Sequence, residues 1–303
     1  MEYGDEMTED WLDVLLPTVS RTRPVVIAGP TASGKSALAM ALARRDGRVI
    51  VNADALQVYA RWRILTARPS LEDEAVATHR LYGHVSRDAA YSVGHWLREV
   101  AAVIASDAPL IIVGGSGLYL TALTMGLAVI PPTSPEVRMT ADLRKSREGI
   151  AGMLAELDFD SAARIDRNNP ARVQRAWEVM QTTGRGLAEW QADTPPALLP
   201  LVEADALVLR PDTGWLNARI DRRFDAMMTD GALNEVMAEL PDWQQSQPSA
   251  QAIGAPNLIS HLRGEIGLQA AISASKLASR QYAKRQRTWL RNKMAGWRGI
   301  SLP

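Results

Sequence analysis

Apolar positions along this chain fall into short runs separated by stretches with helical spacing. Pro24 to Ala28 is a β-branched run that ends in a glycine-rich turn, and Ser36 to Arg45 places Ala37, Leu38, Ala41 and Leu42 on one helical face. Arg48 to Val51 predicts a second strand ending at Asn52-Ala53-Asp54. Leu110 to Val113 predicts a third ending at Gly114-Gly115-Ser116-Gly117, and Ala204 to Leu209 a fourth. Apolar strands alternating with helices predict an α/β fold, a parallel sheet flanked by helices on both faces. Ligands of such sheets bind beyond the strands' carboxyl ends, where the three polar clusters just named would gather, so together they predict one site.

Between Gly126 and Ala204 the pattern changes. A Pro-rich step (Pro131, Pro132, Pro135) precedes helical stretches around Leu143 to Leu157 and Pro170 to Thr182, and a second step follows at Pro195, Pro196 and Pro200. This predicts an all-helical insertion. After Leu209 the spacing is helical again, interrupted near Pro241 to Pro256, with a long final helix from about Leu268 to Met294. The division expected is a core in two parts, residues 22–127 and 204–303, around an insertion at 128–203.

Composition narrows the chemistry. With 303 residues, 47% hydrophobic and 22% charged, the chain is neither disordered nor fibrous. It has no cysteine, which excludes a disulfide framework, an iron–sulfur cluster, a thiolate zinc site and a cysteine nucleophile, and fits a reducing cytoplasm. Glu2, Asp5, Glu6, Glu9 and Asp10 are the opposite of a signal peptide's basic start, and no apolar run approaches bilayer length, so no membrane association is expected. The four histidines lack the i, i+4 pairing of a zinc site.

Lys plus Arg and Asp plus Glu balance at 34 each, yet from Ile266 onward there are eight basic residues and no acidic one. On the final helix Arg280, Lys284, Arg287 and Arg291 recur at i, i+4, i+7 and i+11, a face suited to a phosphate backbone or simply to water.

Gly29-Pro30-Thr31-Ala32-Ser33-Gly34-Lys35-Ser36 satisfies G-x-x-x-x-G-K-[ST] between a predicted strand and a predicted helix, the context of a phosphate-binding P-loop. Its amides and the helix N-terminus would bind phosphate oxygens, Lys35 would add a point charge, and the Ser36 hydroxyl could ligate Mg²⁺. Asp54, ending the second strand, could hold the metal, take a proton from a nucleophile, or N-cap a helix from Ala55 onward. The Gly114–Gly117 turn would let a ligand approach the backbone, with Ser116 offering a hydroxyl, although glycine and serine are also ordinary turn residues. These residues alone indicate a P-loop enzyme with a phosphorylated donor, a small-molecule kinase being the default.

The blocks in order carry a sharper resemblance. GPTASGKS, Asp54-Ala55-Leu56-Gln57-Val58-Tyr59, Thr66-Ala67-Arg68-Pro69, His79-Arg80-Leu81, Tyr91-Ser92-Val93, the GGSGLY turn, Pro135-Glu136-Val137-Arg138 and the segment from Arg280 to Trp289 resemble the tRNA dimethylallyltransferases over nearly the whole chain. The resemblance implies a P-loop NTPase-like core that binds dimethylallyl diphosphate rather than ATP. It implies Mg²⁺-assisted transfer of the prenyl group to the exocyclic N6 of the adenosine on the 3′ side of the anticodon, in tRNAs that read codons beginning with U. The product would be N6-isopentenyladenosine, with diphosphate released.

In residue terms, the resemblance implies Asp54 as general base, with Ser116 and Lys35 beside it. Gly29, Pro30, Thr31, Ala32, Ser33, Gly34, Lys35 and Ser36, with Arg219 and Arg223, would bind the donor. Asp54, Ala55, Leu56, Gln57, Ser116, Arg138, Ala171, Arg172, Val173, Gln174, Arg175, Arg280 and Lys284 would meet the tRNA anticodon stem-loop, whose target base would be flipped from its stack. A monomer is expected.

Two departures from the family pattern stand out. Ile253-Gly254-Ala255-Pro256 replaces the usual Gly-Tyr after the isoleucine, and Ile64-Leu65-Thr66 replaces the usual Ile-Gly-Thr. Both are expected to lie away from the phosphate loop and Asp54. Competing readings are an adenylate prenyltransferase, for which the insertion and basic tail have no use, a P-loop kinase using ATP, and an RNA-binding protein with a vestigial site.

Overall fold

The computed structural model describes residues 10–106 and 109–303; Glu2, Asp5, Glu6 and Glu9 of the acidic start lie outside the described residues. The chain divides into two compact units, one formed by the residues up to Thr124 together with Leu199–Pro303, the other by Met125–Leu198.

The larger unit is built on six parallel strands: β1 (Val25–Ala28), β2 (Val49–Asn52), β3 (His79–Arg80), β4 (Leu110–Gly114), β5 (Asp205–Pro211) and β6 (Arg298–Leu302), in the order β3-β2-β4-β1-β5-β6. Four follow the predicted apolar runs. β3 and β6 were not predicted. β3 is two residues long and polar, and β6 carries Arg298 and Gly299 at an edge whose pattern Arg-Gly-Ile-Ser-Leu is only weakly apolar. Register pairs Ala28 with Gly114 and with Val208, and Asn52 with Val113, so the carboxyl ends of β1, β2 and β4 finish side by side.

Continuous burial of β1 and β4 follows from their central place, with apolar side chains needed on both faces. Against one face packs the helix Lys35–Asp46, whose Leu38, Ala39 and Leu42 join Val25, Ile27, Ile111 and Val113 in one core. Each such Leu contributes about 1.5–3 kcal/mol by leaving water. This packing fixes the helix that opens at the phosphate loop. A separate apolar cluster holds Trp62, Leu65, Phe224, Val236 and Leu258, drawing on the helices Thr213–Thr229, Ala232–Glu239 and Ala255–Leu262. The long predicted C-terminal helix is present as Leu268–Lys293.

The smaller unit is helical: Pro135–Glu148, Ala151–Ala155, Phe159–Arg164, Pro170–Thr183 and Leu187–Ala192. Its first helix starts well before Leu143. Pro135 sits in the opening turn, where its missing N–H costs nothing, and the Ser134 hydroxyl accepts the N–H of Val137. The single stretch predicted over Leu143 to Leu157 is broken in two at Gly149, and Ala141, Met153, Val173 and Trp177 form this unit's core.

Candidate active site

The phosphate loop connects β1 to the helix that begins at Lys35. Gly34 turns the chain at φ 88°, a conformation that glycine adopts without penalty, and Ala32 at φ 61° is also left-handed. Alternation of this kind directs successive N–H groups toward one concavity, the geometry of an anion nest at a helix N-terminus. Ser33 is fully buried beneath the loop, Ser36 is exposed in the first helical turn, and Lys35 Nζ donates to Pro30 O at 3.3 Å.

Asn52, wholly buried at the end of β2, clamps the chain at Asp54. Its Oδ1 accepts the Asp54 N–H at 2.8 Å while its Nδ2 donates to Asp54 O at 3.0 Å and Leu81 O at 2.9 Å. Asp54 Oδ1 in turn accepts the N–H of Leu56 at 3.0 Å, capping a turn rather than a helix. Ser116 Oγ accepts the N–H of Ala55 at 2.8 Å. The loops after β2 and β4 are thus tied directly, and a side chain at Gly114 would stand 2.0 Å from Ala53 O, so glycine is required there.

Three residues of the C-terminal helix complete this arrangement and were not singled out from the sequence. Tyr282, Gln286 and Trp289 recur at i, i+4 and i+7, on the side facing the loops. Gln286 Oε1 accepts the N–H of Thr31 at 2.8 Å and its Nε2 donates to Gly115 O at 3.1 Å, so one buried amide braces both ligand loops. The Tyr282 phenol shares hydrogen bonds with Ser116 and Gln286, and burial, together with the Asp54 charge, raises its pKa well above the ordinary phenol range. Their spacing is present in the sequence, but basic residues interleaved with it give the helix the pattern of a solvated face.

A cavity opens between these groups. Thr31, Asp54, Thr66, Arg223, Ser279 and Tyr282 supply its polar lining, and Leu56, Leu65, Ile220, Phe224, Met227 and Ile253 most of the rest. Leu65 and Ile253 therefore lie on the same cavity as Asp54 and Thr31, which corrects the expectation that the Leu65 departure sits away from them. The chain folds the 61–66 segment back so that Glu235 accepts N–H bonds from Arg63, Ile64 and Leu65, a contact 170 residues distant in sequence.

Electrostatics favour an anion. Burial pushes the Lys35 ammonium down to about 8 from its ordinary 10.5; the Asp54 carboxylate opposes that shift and Arg223 reinforces it. Burial likewise lowers Arg223, opposed by Asp54. Two desolvated cations and one carboxylate thus share the site. Arg223 lines the cavity and donates to Thr31 Oγ1 at 3.3 Å, whereas Arg219 braces the loop through Ala32 O at 3.1 Å and stacks on Trp215.

Other sequence-predicted residues are less free. Gln57 Nε2 donates to Thr66 O and Ala67 O, holding the cavity wall. Arg280 is ion-paired to Asp221 and Arg287 donates to Thr213, while Lys284 and Arg291 are exposed. In the helical unit Val173 is wholly buried in the core, and nearly buried Gln174 bonds Lys145, Asp142 and Glu178, so both act there in packing. Ala171 and Arg172 are exposed; Arg138 pairs with Glu178 at 2.9 Å and Arg175 donates to Thr133.

Comparison with known proteins meets this geometry. The IPP transferase family model matches residues 57–293. A tRNA dimethylallyltransferase of Cereibacter sphaeroides is 65% identical over 95% of this chain and 92% of its own, and one of Paracoccus denitrificans is 55% identical over 95% and 97%. Among solved structures, a eukaryotic dimethylallyltransferase acting on tRNA aligns with TM-score 0.79 at 26% identity, covering 92% of this chain and 73% of that one. The tRNA isopentenylpyrophosphate transferase of Bacillus halodurans aligns with TM-score 0.64 at 28% identity, covering 92% and 90%. With more than half its length matched by the family model and such relatives spanning nearly all of it, the chain belongs to the IPP transferase family.

Proposed function

We propose that this chain transfers a dimethylallyl group from dimethylallyl diphosphate to the exocyclic N6 of the adenosine 3′-adjacent to the anticodon in tRNA. The observation that carries the reading is one cavity lined both by a carboxylate, a desolvated arginine and phosphate-loop residues and by six apolar side chains from outside that loop. The apolar lining suits the tail of a prenyl diphosphate and the cationic groups its diphosphate.

The reaction forms a bond from N6 to the first prenyl carbon and breaks that carbon's bond to diphosphate oxygen. Negative charge grows on the leaving diphosphate as positive charge grows on the allylic carbon. Lys35, Arg223 and the loop amides meet the former, and because they are fixed before the reaction starts they need no reorganisation. The exocyclic amine is a weak nucleophile and must lose a proton as it attacks; Asp54 accepts it. Ser116 and Asn52 hold Asp54 in place through the backbone on both sides of it.

Mg²⁺ would neutralise diphosphate oxygens when bound. Ser36 presents an exposed hydroxyl for it, and among the described residues no group of three or more His, Cys, Asp or Glu could hold a metal. Such a donor set suits an ion that keeps water and substrate phosphates as ligands. For the tRNA, Lys284, Arg291, Ala171 and Arg172 are exposed and available. Among the described residues no helix is long and apolar enough to cross a membrane.

The test is incubation of the purified chain and Mg²⁺ with unmodified tRNA and either dimethylallyl diphosphate or ATP, followed by digestion and nucleoside mass measurement. A prenyl mass gain on adenosine with the diphosphate donor alone is expected. ATP consumption without any gain would replace this reading with a kinase.

A further inference from the structure

The cavity's apolar wall holds two side chains with no space behind them. Leu65 and Phe224 are 6% and 3% exposed and both belong to the packed cluster that includes Trp62, Val236 and Leu258. They meet at Gly254: a side chain there would come within 3.0 Å of the Phe224 ring and 3.5 Å of Leu65 Cδ2, and Gly254 itself adopts φ 96°. The wall is therefore closed by side chains backed by core.

It is also stiff. Glu235 accepts the N–H groups of Arg63, Ile64 and Leu65 at 2.6, 3.0 and 3.0 Å, and Gln57 Nε2 holds the carbonyls of Thr66 and Ala67 at 2.8 and 2.9 Å. Five backbone groups in succession are fixed by two side chains. A wall held in this way cannot retreat for a longer ligand, because close-packed interiors respond to added volume with strain.

From this we infer that Leu65 and Phe224 set the length of prenyl chain the enzyme accepts, closing the cavity one isoprene unit from the diphosphate. The inference rests on the assignment of the cavity to a prenyl diphosphate.

The experiment compares the unmodified chain with the graded series Leu65→Val and Leu65→Ala, and with Phe224→Leu, each supplied with dimethylallyl or geranyl diphosphate and tRNA. Product is read as nucleoside mass, and folding is checked by thermal melting and tRNA retention on filters. The unmodified chain is expected to discriminate against the ten-carbon donor. The ratio of kcat/KM for the ten-carbon to the five-carbon donor should rise stepwise along the Leu65 series, reaching at least about tenfold in Leu65→Ala, the range that a few methylenes are worth in a binding pocket. Phe224→Leu should shift it in the same direction. An unchanged ratio in folded variants that still transfer the five-carbon group would overturn the inference. Failure of the unmodified chain to transfer either group would instead overturn the donor assignment on which it rests.

Discussion

Replacing Gln286 by leucine removes two hydrogen bonds with little change in volume. It strands the Thr31 N–H and the Gly115 carbonyl, each of which faces the amide at about hydrogen-bond distance, 2.8 and 3.1 Å. An unsatisfied buried backbone group costs about 1–3 kcal/mol. Because Thr31 is only half-buried, water can recover part of its share, so the total should be about 2–4 kcal/mol. For a unit of this size each kcal/mol lowers the melting temperature by about 2–4 °C, giving a fall of roughly 4–16 °C.

The same change frees the phosphate loop and the Gly114–Gly117 turn from each other, and a misplacement of about 1 Å at the reacting groups can cost ~100-fold in rate. Donor kcat/KM should therefore drop by roughly ten- to a hundredfold. Binding of tRNA should hold steady, since Gln286 is buried and faces away from the basic side of the helix. Calorimetry, steady-state kinetics and filter binding measure the three quantities. Gln286→Glu serves as the internal control: it keeps an acceptor for Thr31 but turns a carboxylate oxygen toward the Gly115 carbonyl, so it should be at least as damaging as leucine. A melting point within about 1 °C and kinetics within about twofold of the parent would refute the bracing role.

Asp54→Asn should lower kcat by about 100- to 10,000-fold, the usual contribution of a positioned base, with tRNA affinity nearly unchanged; equal losses in both would remove Asp54 from that role. Lys35 carries its charge below about 8 and loses it above, so in the free protein donor affinity should weaken by up to about tenfold per pH unit beyond that point, and Lys35→Arg should abolish this limb. The corresponding stability term has the opposite sign: the unfolded chain keeps this proton up to 10.5, so stability contributed at this residue rises between about 8 and 10.5, which a pH series of melting curves checks. Replacing Lys284 and Arg291 by alanine should lower tRNA affinity and reduce its salt dependence by about one to two ions, whereas an unaltered slope would make that face a merely solvated one.

Much of the fold was legible because its causes are local. The β-branched runs of β1, β2 and β4 must be buried on both faces, and the glycine-lysine-serine ending of the phosphate loop is tied to one backbone geometry. What escaped depends on distance. Leu65 reads as an ordinary apolar residue until Glu235, 170 positions later, folds its backbone against the cavity. Arg280 reads as a free cation, and its pairing with Asp221 exists only once two helices pack together. Gln286 carries no signal in composition, since a single glutamine among arginines looks solvated; only the sheet order that brings the loops after β1 and β4 beside the helix gives it a role. β6 escaped for a related reason, because an edge strand needs apolar residues on fewer sides than a central one.

The strand order has a consequence for how the protein is made. β1 is the first strand synthesised, yet it lies between β4 and β5, and β6 pairs along β5 from Leu207↔Arg298 to Pro211↔Leu302. The first hundred residues emerging from a ribosome therefore hold a P-loop sequence without the neighbours that shape it, while Met125–Leu198 contains its own core and can pack as soon as it has emerged. The clamp on the phosphate loop must wait for Gln286, which arrives 255 residues after Thr31, so an incomplete nascent chain holds that loop without its final brace.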